Sequence, residues 1–430
     1  MAQPHELSTE ALKNWIESPL NKLIDIRPIA AYNGWQLQGE KRGGHIEGAM
    51  TFPKEWTRIA DWTGLLHDKG VTVDTALTIY GYHADDTRDM TEKLAERGYR
   101  NVFVYNHFID EWSANPDLPM ERLPRYKQLV YPGWLYDVVT GNKPPDIETS
   151  NVVICHAHYN YKQDYDAGHI PGAIPIDTIS LEDPEDWNRY PADELEKVLL
   201  EHGIKHDSTV VLYGRFSYPD NKNPYPGKNA GHLGAIRCAM IMLYAGVKDV
   251  RILNGGLAAW EAEGYELSTE QTEIQPEKDF GVEIPLRPDV IVDMPQAKEL
   301  LASEDGELVS MRSWEEFIGN VSGYHYIQKA GRIPGAIFGN CGSDAYHMEN
   351  YRNPDHTMRE YHEIEANWAQ SDIVPEKHIA FYCGTGWRAS EAFWNAYLMG
   401  WPRVSVYDGG WLEWSEDPSN PAATGEPVES

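Results

Sequence analysis

Short apolar segments alternate with amphipathic segments along most of the chain. The apolar segments have the length of strands, as at residues 23–26, 152–155 and 308–311. Between them, apolar positions spaced three and four residues apart predict helices, for example over residues 193–202. Buried strands that alternate with amphipathic helices are typical of a parallel sheet covered by helices on both faces. The pattern therefore predicts an α/β protein.

Four landmarks recur in the same order three times. They are an apolar strand with a polar or basic end, a glycine turn, a second buried strand, and a strand followed by a turn and a helix with tryptophan. They lie at residues 23–27, 45–49, 77–81 and 102–112 in the first copy, at 152–156, 169–173, 210–214 and 252–260 in the second, and at 308–312, 332–336, 379–383 and 404–414 in the third. Their spacing of roughly 125 to 170 residues is that of whole domains rather than short repeats.

The repeats predict three tandem domains of one fold, each a small, mostly parallel sheet with helices on both faces. Polar and proline-rich segments separate the copies. We expect the domains to span residues 1–120, 121–270 and 289–430, with a linker at 271–288. The segment after Trp414 is rich in Pro, Ser and Glu and is expected to be loosely ordered.

The second buried strand of the third copy leads into the candidate chemistry. It continues into a six-residue loop and then a helical sequence; the loop consists of Cys383, Gly384, Thr385, Gly386, Trp387 and Arg388. A glycine-containing loop before a helix directs several backbone N–H groups at one point, which attracts negative charge. Arg388 adds a positive charge, so Cys383 is expected to favour the nucleophilic thiolate. We predict that Cys383 is the catalytic residue and that the other five loop residues bind substrate.

The spacing within this loop separates two chemistries. A Cys-x4-Arg loop fits a single sulfur atom, whereas a loop one residue longer suits phosphate or arsenate, so a phosphatase or an arsenate reductase is disfavoured. At the same place the first copy has Gly81, and the second has Gly214 followed by Arg215, Phe216 and Ser217. Neither glycine can carry a persulfide. The first two domains are therefore predicted to be inactive.

Together these motifs resemble the rhodanese family over nearly the whole chain. The order of two inactive copies and one active copy resembles the three-domain thiosulfate sulfurtransferases of bacteria, whose active loop also reads Cys-Gly-Thr-Gly-Trp-Arg. The resemblance implies that Cys383 takes the outer sulfur of thiosulfate, releases sulfite and holds a persulfide. Cyanide or a thiol would then accept the sulfur, and the loop residues would line the anion site.

Two departures from the family leave the sulfur donor open. The loop positions from Gly384 to Gly386 are uncharged, whereas thiosulfate-preferring two-domain relatives carry basic residues there, and Glu316 stands where those relatives have arginine. The alternatives are a 3-mercaptopyruvate sulfurtransferase and a persulfide relay that serves a partner such as a cysteine desulfurase. Arg312 ends a strand near the expected pocket, where it would either bind the anionic donor or form a structural ion pair.

Other residues have two interpretations each. Cys341 is either a relay thiol or a passive cysteine, and Trp387 either walls the pocket or packs against the neighbouring domain. The insertion at residues 340–348 could roof the site. Cys155 and Cys238 are interpreted as core residues. The cysteines form no CxxC pair and the histidines are scattered, so we expect no metal and no cofactor.

Net charge narrows the set of partners. With 37 Lys and Arg against 67 Asp and Glu, the formal charge is −30, which disfavours nucleic acid and anionic lipid. The expected partners are a small anionic sulfur donor and a thiol or cyanide acceptor, with a protein donor or acceptor as an alternative. There is no apolar run of about 18 residues that would predict a membrane span. The start lacks a signal-peptide pattern, so we expect a cytoplasmic protein, or a periplasmic one if a signal has been removed.

Overall fold

The computed structural model describes residues 5–216 and 231–427. The chain forms two compact units, Met1–Lys127 and Gln128–Ser430. Ser217, which the sequence places in the second-copy loop, lies outside the described residues. The α/β architecture predicted from the sequence is confirmed, with one five-stranded sheet in the first unit and two in the second. The predicted domain boundaries and the linker at 271–288 stay predictions.

The first unit contains the first copy. Its strands are β1 (His5–Glu6), β2 (Lys22–Asp25), β3 (His45–Ile46), β4 (Met50–Thr51), β5 (Leu77–Tyr80), β6 (Val102–Tyr105) and β7 (Met120–Glu121). Its α-helices are α1 (Thr9–Ile16), α2 (Ile29–Asn33), α3 (Trp62–Asp68) and α4 (Ala84–Glu96), and the segment with the landmark tryptophan is a π-helical turn, Phe108–Trp112.

The second unit contains the second and third copies. The second has β8 (Leu129–Val130), α5 (Pro132–Val139), β9 (Val152–His158), α6 (Gln163–Ala167), β10 (Ile174–Asp177), α7 (Ala192–Glu201), β11 (Thr209–Tyr213), α8 (Gly231–Ala245), β12 (Asp249–Leu253) and α9 (Gly256–Ala262). The third has β13 (Ile291–Val292), α10 (Met294–Ala302), β14 (Gly306–Ser310), α11 (Trp314–Phe317), β15 (Ile337–Phe338), α12 (Tyr361–Ala369), β16 (His378–Tyr382), α13 (Trp387–Leu398), β17 (Val404–Tyr407) and α14 (Gly410–Glu416).

The three main sheets share one topology. Their strand orders are β1-β6-β5-β2-β4, β8-β12-β11-β9-β10 and β13-β17-β16-β14-β15, and every neighbouring pair within them is parallel. The central strands β5 and β11 are buried along their whole length, and β16 is buried after its first residue. Burial on both faces explains why these strands appear in the sequence as continuous apolar runs. Each central strand ends at the position of the predicted loop.

Helices α8 and α13 join the two sheets of the second unit. Each helix follows the central strand of its own sheet, and the two pack against each other. Every residue of α8 is buried, including Cys238, which confirms its interpretation as a core residue. Cys155, in β9, is also fully buried. A helix that is buried on all sides belongs to a shared interior rather than to a surface.

The segment after Trp414 differs from its prediction as a loosely ordered tail. The Trp414 indole donates a hydrogen bond to the Pro421 carbonyl at 2.8 Å. Arg332 and Ala423 exchange two backbone hydrogen bonds of 2.9 and 3.0 Å, and the Arg332 side chain donates to Gly425. The prediction was wrong as far as Gly425, because the composition of the tail does not reveal these bonds to a distant turn.

No helix in the described parts of the chain has both the length and the apolar character that crossing a bilayer requires.

Candidate active site

The cysteine loop runs directly from strand to helix. Cys383 follows the last residue of β16, and α13 begins at Trp387. Gly386 adopts φ 84°, a left-handed conformation that glycine takes without steric cost, and this turn starts the helix. The Cys383 side chain is fully buried. The predicted arrangement of strand, loop and helix is therefore present around Cys383.

The fourth landmark of the third copy, residues 404–414, is hydrogen-bonded to the carbonyl groups of the loop. The backbone N–H of Trp411 donates to the Cys383 carbonyl at 2.8 Å, and that of Leu412 donates to the Gly384 carbonyl at 3.0 Å. A Cβ atom at Gly410 would lie 2.7 Å from the Cys383 carbonyl oxygen, so this close approach requires glycine. The Asp-Gly-Gly segment therefore fixes the carbonyl side of the loop.

Two tyrosines lie against the loop. A Cβ atom built on Gly384 would meet the Tyr324 ring at 2.5 Å, which places this ring directly on the loop. The Tyr324 hydroxyl donates to the Ala345 carbonyl at 2.8 Å. Tyr326 forms a side-chain hydrogen bond with Thr385. Burial raises the pKa of both phenols well above the ordinary value, so they stay protonated at neutral pH.

A buried cluster of three charged side chains lies beside the loop. Arg388 and Glu316 form two parallel hydrogen bonds of 2.9 Å, and Arg312 Nε lies 3.3 Å from Glu316 Oε1. All three side chains are fully buried. Burial alone would raise the pKa of Glu316, but the guanidinium of Arg388 and then that of Arg312 lower it to about 2. Glu316 is therefore ionised and offsets one of the two positive charges.

The remaining contacts of the two arginines are also internal. Arg312 donates to the Gly331 carbonyl at 2.6 Å and to the Ser322 carbonyl at 3.1 Å. These are the contacts of a structural ion pair, which was one of its two interpretations. In the sequence, Glu316 is recognisable only as a departure from relatives. The capping box that Ser313 and Glu316 form at the start of α11 was the local signal for its position.

The insertion at residues 340–348 packs over this cluster. Arg388 Nη1 donates to Cys341 Sγ at 3.3 Å and to the Asp344 carbonyl at 3.4 Å. The Tyr346 ring meets the Tyr324 ring edge to face, with centroids 5.4 Å apart. Burial raises the pKa of the Cys341 thiol to about 12, so this thiol is protonated at neutral pH. The insertion contacts the groups that surround Cys383, the position expected of a roof.

The second copy contributes side chains to the same place. The Trp387 indole donates to Glu182 Oε1 at 2.8 Å, and its ring meets those of Tyr159 and Trp187 edge to face at 5.7 and 6.2 Å. Trp187 in turn stacks on Tyr326 with centroids 5.8 Å apart. Trp387 therefore both packs against the neighbouring copy and takes part in an aromatic wall, defined here as Tyr159, Trp187, Tyr326 and Trp387. Sequence reasoning identified only Trp387 of these.

The equivalent loops of the other copies are filled. In the second copy, a Cβ atom at Gly214 would lie 2.2 Å from the backbone of Gly231. In the first copy, the Tyr82 hydroxyl donates to buried Glu40 at 2.5 Å. Both loops follow the central strand of their sheet, as predicted, and neither carries a cysteine at that point.

The Rhodanese-like domain family matches the chain three times, at residues 8–115, 160–263 and 293–417. The chain belongs to this family, which confirms the resemblance inferred from its motifs. It is an enzyme of the sulfurtransferase class.

Similar proteins point to two sulfur-transfer reactions. The thiosulfate sulfurtransferase YnjE of Escherichia coli (strain K12) is 40% identical over 428 residues, covering 98% of this chain and 93% of the relative. The wild-type structure of EanB is 52% identical with a TM-score of 0.97, covering 99% of both chains. The anaerobic ergothioneine biosynthesis enzyme from Chlorobium limicola, in complex with its natural substrate trimethyl histidine, is 52% identical with a TM-score of 0.97, covering 99% of this chain and 100% of that one.

Proposed function

We propose that the protein transfers sulfur from a persulfide on Cys383 to the imidazole ring of trimethyl histidine. The observation that carries the proposal is the aromatic wall beside a cysteine loop whose residues 384–386 are uncharged. The similarity to EanB over 99% of both chains supports it, because EanB has been solved with hercynine and with ergothioneine.

The aromatic wall suits a quaternary ammonium group. Such a group has no N–H to donate, so it is recognised by the faces of aromatic rings rather than by hydrogen bonds. Tyr159, Trp187 and Tyr326 are only partly buried. Their rings adjoin the loop that begins at Cys383, which would bring a trimethylammonium group and an imidazole of one small molecule to neighbouring positions.

The charges near the loop favour trimethyl histidine over an anionic compound as the sulfur acceptor. Glu316 offsets one of the two buried guanidinium charges, and residues 384–386 add none. The formal charge of the whole chain is −30, and such a field attracts cationic groups and repels dianions. A zwitterion with a quaternary ammonium group fits these surroundings better than free thiosulfate does.

Spacing along the chain adds support from the solved relatives. A tyrosine variant of EanB has been solved with one cysteine as a persulfide, in a tetrahedral intermediate state with ergothioneine; this structure is 52% identical with a TM-score of 0.96, covering 98% of this chain and 100% of that one. Variants of EanB at a tyrosine and at a threonine have also been solved. Tyr324 and Thr385 stand at the same spacing from Cys383 as these two residues stand from the persulfide cysteine.

The reaction balances without a separate oxidant. In the first step the Cys383 thiolate attacks the outer sulfur of a donor such as thiosulfate, the donor S–S bond breaks, and sulfite leaves. In the second step a carbon–sulfur bond forms at the imidazole carbon between the two ring nitrogens. The persulfide S–S bond breaks, Cys383 leaves as thiolate, and the C–H proton is lost. The ring carbon gives up two electrons and the transferred sulfur takes them.

The protonated phenols have a role in the second step. Negative charge moves between the ring, the outer sulfur and Cys383 as the bonds change. Tyr324 and Tyr326 lie against the loop with raised pKa values, so both can donate hydrogen bonds at neutral pH. Thr385, bonded to Tyr326, would orient this donor.

The test loads the protein with thiosulfate, with 3-mercaptopyruvate, or with a cysteine desulfurase and its substrate, and follows intact mass. One added sulfur on the parent and none on Cys383→Ala are expected. Addition of trimethyl histidine should remove this sulfur and yield a product heavier by one sulfur atom, whereas unmethylated histidine should react much more slowly. A loaded Cys383 that gives no sulfur to trimethyl histidine would overturn the proposed acceptor.

A thiosulfate sulfurtransferase with cyanide or a thiol as acceptor is the second candidate. The identity of 40% to YnjE over 98% of the chain favours it, and it matches the expectation from the motifs. Adding cyanide in place of trimethyl histidine in this experiment separates the two functions, because cyanide would then unload Cys383 at a rate that trimethyl histidine does not approach.

A further inference from the structure

The second copy has no cysteine in its loop, yet it holds the cysteine loop of the third copy. We propose that Arg237 of the second copy is a positioning residue for the Cys383 loop and for Trp187 of the aromatic wall. The proposal rests on the proposed function in that Cys383 is taken as the reactive residue. It gives a specific task to a copy that carries no cysteine of its own at that point.

Arg237 is a fully buried residue of α8 with three partners. Its Nε lies 2.8 Å from Glu182 Oε2, its Nη1 lies 2.6 Å from Asp408 Oδ1, and its Nη2 donates to the Trp187 carbonyl at 2.9 Å. The partners come from both copies of the second unit. Each of the three guanidinium nitrogens thus lies against a different one of these partners.

Each of the three partners of Arg237 is connected to the active site. Glu182 accepts the hydrogen bond from the Trp387 indole. Asp408 lies two residues before Gly410, the glycine at which α14 approaches the Cys383 loop. Trp187 stacks on Tyr326. Arg237 therefore bonds directly to one residue of the aromatic wall, and Glu182 and Asp408 connect it to the Cys383 loop.

Arg237 also touches the loop itself. A Cβ atom at Gly386 would lie 2.9 Å from Arg237 Nη1 and 3.1 Å from the Asp408 carbonyl oxygen. The left-handed turn before α13 is therefore packed against the guanidinium. Gly386 lies only three residues after Cys383. A shift of the guanidinium would therefore move the turn next to the reactive cysteine.

Trp187 needs a support of this kind. It adopts φ 65°, a left-handed conformation that costs a residue with a side chain about 1–3 kcal/mol and persists only where the surroundings impose it. The hydrogen bond from Arg237 to its carbonyl fixes the peptide next to this strained residue. The conformation turns the indole toward the rings of Tyr326 and Trp387.

Lysine cannot replace this geometry. An ammonium group keeps the charge but is a compact point on a flexible chain, so it cannot serve three partners along a planar edge. Arg237→Lys is thus the informative variant. Arg251→Lys is its matched control, since Arg251 is a nearly fully buried arginine of the same copy that pairs with Asp146 and Asp249 and has no bond to the loop.

The experiment measures both variants in the full chain. Its readouts are the rate of Cys383 alkylation by iodoacetamide, the rate of persulfide loading from thiosulfate, kcat and KM for trimethyl histidine, and Tm. A misplacement of about 1 Å can cost about 100-fold in rate, so Arg237→Lys should change Cys383 alkylation and loading by about tenfold or more. It should also raise KM for trimethyl histidine, because Trp187 loses its support. Arg251→Lys should lower Tm comparably and leave these rates within about twofold of the parent, since it does not reach the loop.

Three outcomes decide the matter. If Arg237→Lys alkylates, loads and turns over like the parent, the proposal is overturned. If both variants lose reactivity in proportion to their loss of Tm, Arg237 is only structural, which overturns it as well. If the parent alkylates and loads but does not act on trimethyl histidine, the proposed acceptor fails, while the alkylation rates still decide the role of Arg237.

Discussion

The second and third copies share the strand order of their sheets, yet only the third presents a cysteine at the end of its central strand. After β16 the chain turns around Cys383 and leaves room for a sulfur side chain, with aromatic rings nearby. After β11 the backbone of Gly231 stands 2.2 Å from the place where a side chain at Gly214 would begin. The comparison teaches that the shared fold preserves the place of the loop but not its interior. Restoring one residue should not restore the site.

The largest effect is expected from moving the cysteine between copies. The double variant Cys383→Ala with Gly214→Cys should show no persulfide-dependent turnover, a loss of at least about 1000-fold. Gly214→Cys alone should lower the free energy of unfolding by about 1–3 kcal/mol, because its Cβ meets backbone that cannot retreat.

Gly81→Cys in the first copy is the matched control for that clash. The nearest neighbours of a Cβ atom there are the side chains of Ile26, at 3.0 Å, and Thr87, at 3.8 Å, and a side chain can yield where a backbone cannot. Urea unfolding measures both costs, and intact mass detects any sulfur adduct. Turnover by the double variant, or an equal cost at both glycines, would show that the comparison of the loops is mistaken.

The next effect comes from the charge cluster of the third copy. Glu316→Gln should destabilise the protein by about 3 kcal/mol at pH 7, because the pKa shift of Glu316 from 4.5 to about 2 corresponds to that stabilisation of the folded state. A carboxyl whose pKa is lowered by folding stabilises the fold above its unfolded pKa. This contribution is lost as the pH falls from about 4.5 through about 2. The gap between parent and variant in urea unfolding should therefore narrow between pH 7 and pH 3, and a gap of constant size would contradict the assignment.

An effect of opposite sign is expected at Glu182. Burial is the largest cause that raises its pKa to about 7; Arg237 opposes the rise and Asp408 adds to it. A carboxyl whose pKa is raised by folding contributes most to stability below its unfolded pKa, here 4.5, and this contribution is lost as the pH rises to about 7. Glu182→Gln resembles the protonated form. The free energy of unfolding of the variant should therefore rise relative to that of the parent as the pH increases from 4.5 to about 7. Thermal unfolding of parent and variant at pH 5 and pH 8 measures this change. A parent that gains stability relative to the variant between these pH values would contradict the raised pKa of Glu182.

The smallest effect is expected in the aromatic wall. Trp187→Leu keeps a residue with the same backbone cost at φ 65° but removes the indole face. A cation–π contact is worth about 1 kcal/mol, so KM for trimethyl histidine should rise about fivefold while turnover with cyanide changes little. Tyr136→Leu, which removes an exposed ring of the same copy that stacks on Tyr265, should change neither. An equal change with cyanide would assign Trp187 to the loop rather than to substrate recognition.

The sequence was sufficient for the fold and for the loop, because both depend on local patterns. Buried strands of the parallel sheets appear as apolar runs, and the turn before α13 needs glycine at position 386. Glu316 also had a local signal in its capping box with Ser313.

The contribution of the second copy had no such signal. Glu182 and Trp387 are hydrogen-bonded across 205 residues of sequence. No periodicity or motif connects Arg237 with Asp408 either, since a pair of buried charges becomes recognisable only when the helices that carry them are packed. The tail beyond Trp414 was misjudged for the same reason, because composition does not report its bonds to Arg332.

The complete burial of α8 limits how this chain can be recombined. α8 packs on the sheet of the second copy and against α13 of the third copy, so a chimera that takes its third copy from a relative must take α8 with it. Substitutions in α8 and α13 are therefore expected to be inherited in compensating pairs, as in the two faces of an obligate dimer.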